Sequence, residues 1–465
     1  MPARTLRTLA LVGALALAGC GDGPTGNGGG GDDDLSGGVG TGAERLLSDA
    51  EMATPADPGA PAENPAWGAW AEANHRPVRS LTSNNFADLE FLRPLLQGKR
   101  IVQLGESSHG VAEYSEAKTR LIKFLHQEMG FEVLAFESGL YECWQAERNL
   151  SGGTAANALR DCLFGVWWVQ EAAPLFDYLA VTRSTARPLR LAGFDVQQSG
   201  RASSGRPRFL RELVATVDPV YADSVARVDS VFAARTGQSA ALARAYLATE
   251  GDRLAAFYAE LTAFLERNHD AIARASSDRP EAVRIATQAA RQTPVLIRML
   301  RAPDADAGTP IRDRGMADNL EFLLQQMYPG KKVIVWAHNF HIRHGATVGT
   351  PPGYETMGVW VSQRHRAELY TIALYAYRGK MRSNAGQVYD VFPTPAGSLE
   401  SILYRARRKH FFVDLSGAAR TPATEWMYVP IVARSSGANE ERMVVRDQYD
   451  GVLFIDPVRN PQPLR

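Results

Sequence analysis

Residues 101–137, IVQLGESSHGVAEYSEAKTRLIKFLHQEMGFEVLAFE, restrict the fold more than any other part of the chain. The apolar run Ile101-Val102-Gln103-Leu104 has the length of a strand, and Gly105 punctuates it. A polar cluster, Glu106-Ser107-Ser108-His109-Gly110, follows. From about Ala112, apolar Leu121, Ile122 and Leu125 fall among Glu113, Glu116, Lys118 and Lys123 at helical spacing. A second apolar run, Phe131 to Phe136, ends in Glu137. Strand, polar turn, helix and strand make one βαβ unit. Open α/β sheets bind ligands beyond the carboxyl ends of their parallel strands, where Glu106, His109 and Glu137 fall. Two carboxylates and an imidazole at one sheet edge are material for acid–base chemistry.

The pattern recurs downstream. Arg187 to Asp195 reads as a third strand, with Gln197 in the turn beyond it. Lys332 to Ala337 reads as a fourth, followed by His338-Asn339-Phe340-His341. Glu368–Tyr375, Phe411–Leu415 and Gly451–Ile455 read as further strands, and Trp67–Trp70 and Phe86–Leu96 as helices. From about 209 to 300 glycines are few, and Leu254, Phe257, Leu261, Phe264 and Leu265 recur at helical spacing. This predicts a large helical insertion, a lid or cap beside the sheet, with Pro294 ending or kinking one helix. Residues 302–310 read as a loop before a helix carrying Met316, Leu320, Leu323, Leu324 and Met327 on one face. The expected fold is α/β: a central, mostly parallel sheet flanked by helices, with that insertion.

The ends of the chain read differently. Arg4 and Arg7 precede an apolar run, Leu9 to Ala18, and Leu17-Ala18-Gly19-Cys20 has the form of a bacterial lipoprotein signal lipidated at Cys20. An ordinary secretory signal is the alternative. Residues 21–65 are rich in Gly, Asp and Pro and read as a disordered tether. The domain is expected over 66–456, with a tail at 457–465. The protein would then sit at the cell envelope, anchored to membrane by acyl chains. With 51 basic and 51 acidic residues among 465, no basic field points to nucleic acid. Three cysteines make no zinc motif. Cys143 and Cys162, on two short helical segments, could pair in an oxidising compartment or remain buried thiols.

Four strand ends thus carry polar residues: Glu106/His109, Glu137, Asp195/Gln197 and His338/His341. His109 sits in a glycine-flanked turn at a helix N-terminus. The helix dipole disfavours its imidazolium while Glu106 and Glu137 favour it, a balance suited to a general base. His338 and His341 are spaced to face one ligand, as metal ligands or as donors to an oxyanion. Glu106, His109, Glu137, His338 and His341 would suffice to hold zinc or manganese, but HExxH is absent. Ser107 or Ser108 beside His109 could be a nucleophile, yet the turn is not GxSxG. Direct activation of water is the better reading, with no cofactor.

Several segments together resemble the erythromycin esterase family: Gly105-Glu106-Ser107-Ser108-His109-Gly110 with Glu113 and Lys118; Glu137; Gly193-Phe194-Asp195-Val196-Gln197; Arg312-Asp313 with Met316, Ala317 and Asn319; Trp336-Ala337-His338-Asn339 with His341; and Met357-Gly358. The resemblance runs from about Trp67 to Ile455. It implies hydrolysis of an ester or lactone, as of macrolides, without a required metal. It implies His109 as the base that activates water, Glu106 and Glu137 as its positioners, and His338 and His341 as groups polarising the carbonyl. Lys118 would hold the carboxylates, and Asp195, Gln197, Arg312 and Asn339 would bind substrate or support the site. Lys118 stands where macrolide-active members are expected to carry Arg, and Lys cannot form the same bidentate fork. Two other readings compete: a metal-dependent hydrolase using the same residues, and a non-catalytic lipoprotein that binds a hydrophobic or sugar ligand.

Overall fold

The strand runs pair as the alternation of their side chains requires. A computed structural model describes residues 45–61, 64–150 and 152–464. Eight strands form the central sheet: β1 (Arg76–Pro77), β2 (Ile101–Leu104), β3 (Val133–Gly139), β4 (Arg190–Asp195), β5 (Val333–Trp336), β6 (Leu369–Tyr375), β7 (His410–Asp414) and β8 (Gly451–Ile455). Their order is β1-β7-β8-β6-β2-β5-β3-β4. The run from β8 to β4 is parallel throughout, whereas β7 is antiparallel to both β8 and β1. Strands 2, 5, 3 and 4, whose ends carry the polar residues, are therefore four consecutive neighbours with one carboxyl edge. The sheet is mostly parallel, as the sequence predicts.

Both faces of these strands are apolar, as a sheet covered on two sides requires. Ile101, Val133, Ala135, Val333 and Val335 point into one core. Val102, Leu104, Leu134, Phe136, Ile334 and Trp336 point into the other. The second core is closed by the helix Ala112–Met129, which buries Tyr114, Leu121, Ile122, Phe124 and Leu125 and ends at Gly130 in the left-handed conformation. The first receives the helical insertion, which comprises Arg206–Val214, Pro219–Thr236, Ala240–Arg267, His269–Ala273 and Arg279–Arg301. Its Leu254, Tyr258, Leu261 and Leu265 share one continuous core with the sheet residues.

Several expectations need correction. Of the two outcomes expected of Pro294, ending its helix is the one overturned; Arg279–Arg301 runs through it, with Leu296, Ile297 and Met299 buried beyond. Residues 302–310 are not all loop. Asp304 caps a helix, Ala305–Phe322, by accepting from Ala307 N at 2.9 Å, and Pro310 lies inside it. Packing on both sides outweighs one missing hydrogen bond in each helix. Glu137 lies within β3, two residues before its end, not beyond it. Residues 45–61, expected in the tether, are folded: Ser48 caps the helix Asp49–Met52, and Met52 is fully buried. Thr54 N donates to Arg407 O at 3.0 Å. The expected tail is also built in, since Val458 and Pro463 form β-bridges with Gly379 and Val169. Cys143 and Cys162 are joined in a disulfide. The signal, Cys20 and the rest of the tether up to residue 44 lie outside the described residues. Among the described residues no helix is long and apolar enough to cross a membrane.

Candidate active site

The turn after β2 is shaped by close backbone approaches. A Cβ on Gly105 would lie 2.0 Å from Asn339 Oδ1, and one on Gly110 would lie 1.8 Å from Arg382 O. Only glycine fits at either place. Between them His109 turns back on Glu106, with Nδ1 2.7 Å from Oε1. Trp167 Nε1 donates to the same oxygen at 3.1 Å. On the other oxygen, Lys118 Nζ makes an ion pair at 2.7 Å. The ammonium also lies 3.9 Å above the Trp336 ring. Burial opposes the Glu106 charge, but Lys118 and His109 outweigh it and hold the carboxyl below its ordinary pKa. Burial pushes the Lys118 ammonium down to about 8, against the pull of Glu106.

A second cluster lies at the ends of β3 and β4. Arg312 Nη2 donates to Glu137 Oε1 at 2.9 Å, and Arg312 Nε to Asp195 Oδ2 at 3.1 Å. His341 Nε2 is 3.3 Å from Glu137 Oε1, and its Nδ1 is 2.9 Å from Asp313 Oδ1. Burial opposes the imidazolium of His341, but Asp313 and Glu137 prevail and raise its pKa. The same logic works on Glu137: burial is outweighed by His341 and Arg312, and its carboxyl is held well below the usual range.

His338 joins the clusters but is fully engaged. Its backbone N–H donates to Glu137 Oε2 at 2.8 Å. Its Nδ1 accepts from Phe340 N at 3.1 Å, so Nε2 carries the proton and donates to Ser107 O at 3.0 Å. Burial pushes its pKa down to about 3, in keeping with a neutral ring. The His338 ring is 5.1 Å from that of His109 and 6.4 Å from that of His341, between centroids. Asn339 is spent on the scaffold: Nδ2 donates to Leu374 O at 2.9 Å and Oδ1 accepts from Leu374 N at 3.2 Å, tying the end of β5 to β6. Gln197 contributes a backbone N–H to Asp195 Oδ1 at 3.0 Å.

The structure therefore brings Glu106, His109, Lys118, Glu137, Asp195, Arg312, His338 and His341 to one edge. Ser107 Oγ is 2.9 Å from Tyr114 OH, and Ser108 Oγ accepts from Gly110 N at 3.3 Å. Neither hydroxyl bonds to His109 among the described residues. No group of three or more His, Cys, Asp or Glu side chains is arranged to hold a metal ion among them either. Two contributors escaped the reading of strand ends. Asp313 lies on a helix face next to Arg312, and Trp167 lies in an aromatic stretch far from Glu106 in sequence. A cavity of about 490 Å³ lined by Asn64, Trp67, Arg420, Thr421, Pro422 and Glu425 involves none of the site residues.

A mostly parallel sheet with paired carboxylate–imidazole clusters across neighbouring strand ends defines an α/β protein equipped for acid–base chemistry. Comparison with known proteins makes this specific. The family model for erythromycin esterase matches residues 126–458. "Putative hydrolase YbfO" of Bacillus subtilis (strain 168) is 30% identical over 418 residues, 86% of this chain and 92% of that protein. Erythromycin esterase type I of Escherichia coli is 25% identical over 271 residues, 56% of this chain and 66% of that protein. A Bacillus cereus protein of known crystal structure, 19% identical, superimposes with a TM-score of 0.74 over 87% of this chain and 100% of its own. The chain belongs to the erythromycin esterase family. Family and relatives together support hydrolase chemistry.

Proposed function

We propose that the protein hydrolyses a carboxylic ester or lactone with a water molecule activated by His109. The observation that carries this reading is the chain from the buried Lys118–Glu106 pair to the part-exposed His109. A carboxylate oxygen 2.7 Å from Nδ1 keeps the imidazole proton there and leaves a lone pair on Nε2. Water at Nε2 gives its proton to that nitrogen as its oxygen bonds to the acyl carbon. The tetrahedral intermediate then collapses, the ester C–O bond breaks, and His109 returns the proton to the leaving alkoxide. Glu106 stabilises the imidazolium between these steps, as a carboxylate does for a catalytic histidine elsewhere.

Arg312 and His341 supply positive charge from the cluster at the ends of β3 and β4, each held by carboxylates. They take the carbonyl-polarising role that the spacing of His338 and His341 suggested for both histidines. His338, with both ring nitrogens engaged, acts as a strut between the turn after β2 and the segment after β5. The substrate is a small-molecule ester or lactone. The erythromycin esterase named among the relatives makes macrolide lactones the first to try. The lipoprotein-type leader supports placing the enzyme at the cell envelope, anchored through Cys20.

The test is a panel of esters and lactones, macrolides included, with His109→Gln as the blank. Wild-type turnover and a loss of about 10²- to 10⁴-fold in the variant are expected. Undiminished turnover by a folded His109→Gln protein overturns the mechanism. Activity should survive chelation; loss on chelation with recovery on adding zinc or manganese would favour a metal-dependent hydrolase. No turnover across the panel, with ligands that still raise the melting temperature, would favour a binding protein.

A further inference from the structure

Trp167 ends the short 3-10 turn Gly165–Trp167 and is almost fully buried. Its ring meets the His109 ring edge-on at 4.6 Å between centroids, and Phe136 backs it at 5.1 Å. Its Nε1–H donates to Glu106 Oε1, the oxygen that also accepts the hydrogen bond from His109 Nδ1. We propose that Trp167 is a positioning residue for the hydrolysis proposed above, holding Glu106 and the His109 ring so that the imidazole keeps its proton on Nδ1 and its lone pair on Nε2.

The terminal torsion of a glutamate is broad and roughly two-fold, so its carboxylate plane is weakly fixed by the chain itself. Lys118 pins one oxygen, but an ammonium is a point charge that imposes no plane. His109 alone on the other oxygen could follow the carboxylate as it turned. A second donor on Oε1, carried by a rigid indole, removes that freedom. The edge-on contact also places an aromatic wall against the imidazole, which resists rotation about its own ring torsion.

The indole is itself held from both sides. Upstream, the disulfide Cys143–Cys162 ties the end of the helix Ala155–Cys162, which leads into this segment, to the helix Leu140–Asn149. Downstream, Trp168 O accepts from Leu464 N at 2.9 Å, and Gln170 N donates to Gln462 O at 2.8 Å. A tryptophan that merely filled the core would need none of the alignment of its N–H on Glu106. Glu106 and His338 lie against His109, Glu137 interacts with it through charge, and none of them needs to change charge for Trp167 to act.

The deciding comparison is between wild type and Trp167→Phe, which keeps an aromatic ring and removes the donor. Histidine-selective ¹⁵N NMR should show the Nδ1–H tautomer dominant at His109 in wild type and a mixture of tautomers in the variant. With an ester substrate, kcat should fall roughly 10-fold with KM changed less than about 2-fold, the signature of lost proton-transfer geometry and not of lost binding. An unchanged tautomer and unchanged kcat in a folded variant overturn the proposal. If Trp167→Phe does not fold, the indole N–H resonance of Trp167 is compared between wild type and Glu106→Gln. It should move upfield as a charge-assisted hydrogen bond becomes a neutral one, and an unmoved resonance overturns the proposal. The tautomer is read without turnover, so a protein inactive on every ester but showing the expected tautomer shift would refute the hydrolysis and keep Trp167 as the residue that fixes the His109 tautomer.

Discussion

Lys118 and Glu106 form an ion pair sealed from solvent: Nζ lies 2.7 Å from Oε2, and the side chains are 0% and 1% exposed. Deleting one partner of such a pair strands the other charge and costs about 3–5 kcal/mol. Lys118→Met is therefore expected to lower stability by that order, measured by urea unfolding, and to abolish turnover through Glu106.

The same lysine should set an alkaline limit on the proposed activity. Burial has brought its pKa down to about 8, below the unfolded value. The folded chain thus gives up this proton before the unfolded chain does. Between about pH 8 and pH 10 the unfolded state binds more protons, so this group's contribution to stability rises with pH. Activity should move the other way, because neutral Lys118 no longer compensates Glu106. We expect kcat/KM to fall above about pH 8 in wild type and to hold to higher pH in Lys118→Arg, whose guanidinium stays charged. Matching alkaline limbs in a folded Lys118→Arg protein would refute this assignment.

Asp313 should govern His341. Its Oδ1 lies 2.9 Å from His341 Nδ1 and accepts from Met357 N at 2.8 Å. The pKa of His341 is raised in the folded state, after burial is offset by Asp313 and Glu137. Its stabilising contribution is then complete below the unfolded value, about 6.5, and is lost as pH rises through the folded value. Asp313→Asn keeps an oxygen for Met357 N but removes the charge. The fall of melting temperature with pH above about 6.5 should flatten in this variant, and kcat should drop about 10- to 100-fold as the positive charge near the carbonyl is lost.

How much of this was legible in the sequence depends on the range of the interaction. Strands 2, 5, 6 and 8 are short apolar runs bounded by turn residues, so local pattern is enough to place them. The convergence of Glu106, Glu137, Asp195 and His338 follows from parallel strands sharing one edge. Long-range partners are another matter. Met52 and Thr54 are buried through contacts with residues 407–409, which no local pattern in the Pro-rich segment announces. Pro294 and Pro310 carry a helix-breaking signal that packing overrides. His338 has the spacing of a ligand, and only the fold brings Phe340 N and Ser107 O onto its two ring nitrogens. Trp167 lacks any signal of its own, because its meaning lies in a hydrogen bond to a residue 61 positions away.

The disulfide should matter to activity as well as to stability. Cys143 and Cys162 are 19 residues apart, and closing a loop of that size contributes about 3 kcal/mol in the chain-entropy account. The carbonyl of Cys162 also accepts from Ser199 Oγ at 2.6 Å, and Ser199 Oγ accepts from Gly139 N at 2.8 Å, two residues past Glu137. Cys143→Ser is expected to lower the urea midpoint accordingly. Its kcat should fall even in conditions where it remains folded, whereas reductant should leave the variant unaffected and bring wild type to the same level.

The C-terminal segment clasps the two pieces of chain that follow His109 and Trp167. Ala112 N, at the start of the helix that follows His109, donates to Arg459 O at 2.9 Å. Arg459 N donates to Glu113 Oε2 at 2.8 Å, and its Nη1 to Glu171 Oε1 at 2.7 Å. Gln462 O and Leu464 N bond to Gln170 and Trp168 on either side of the segment after Trp167. The Arg459 side chain is half exposed, so its ion pairs alone are worth little, about 1 kcal/mol or less for Arg459→Ala. Removing residues 459–465 also strips the backbone bonds, at about 1 kcal/mol each. The truncated protein should therefore melt distinctly lower than Arg459→Ala and lose more kcat, with KM least affected. If the two variants match each other in melting temperature and kcat, the backbone clasp contributes nothing and the side chain of Arg459 accounts for the whole effect.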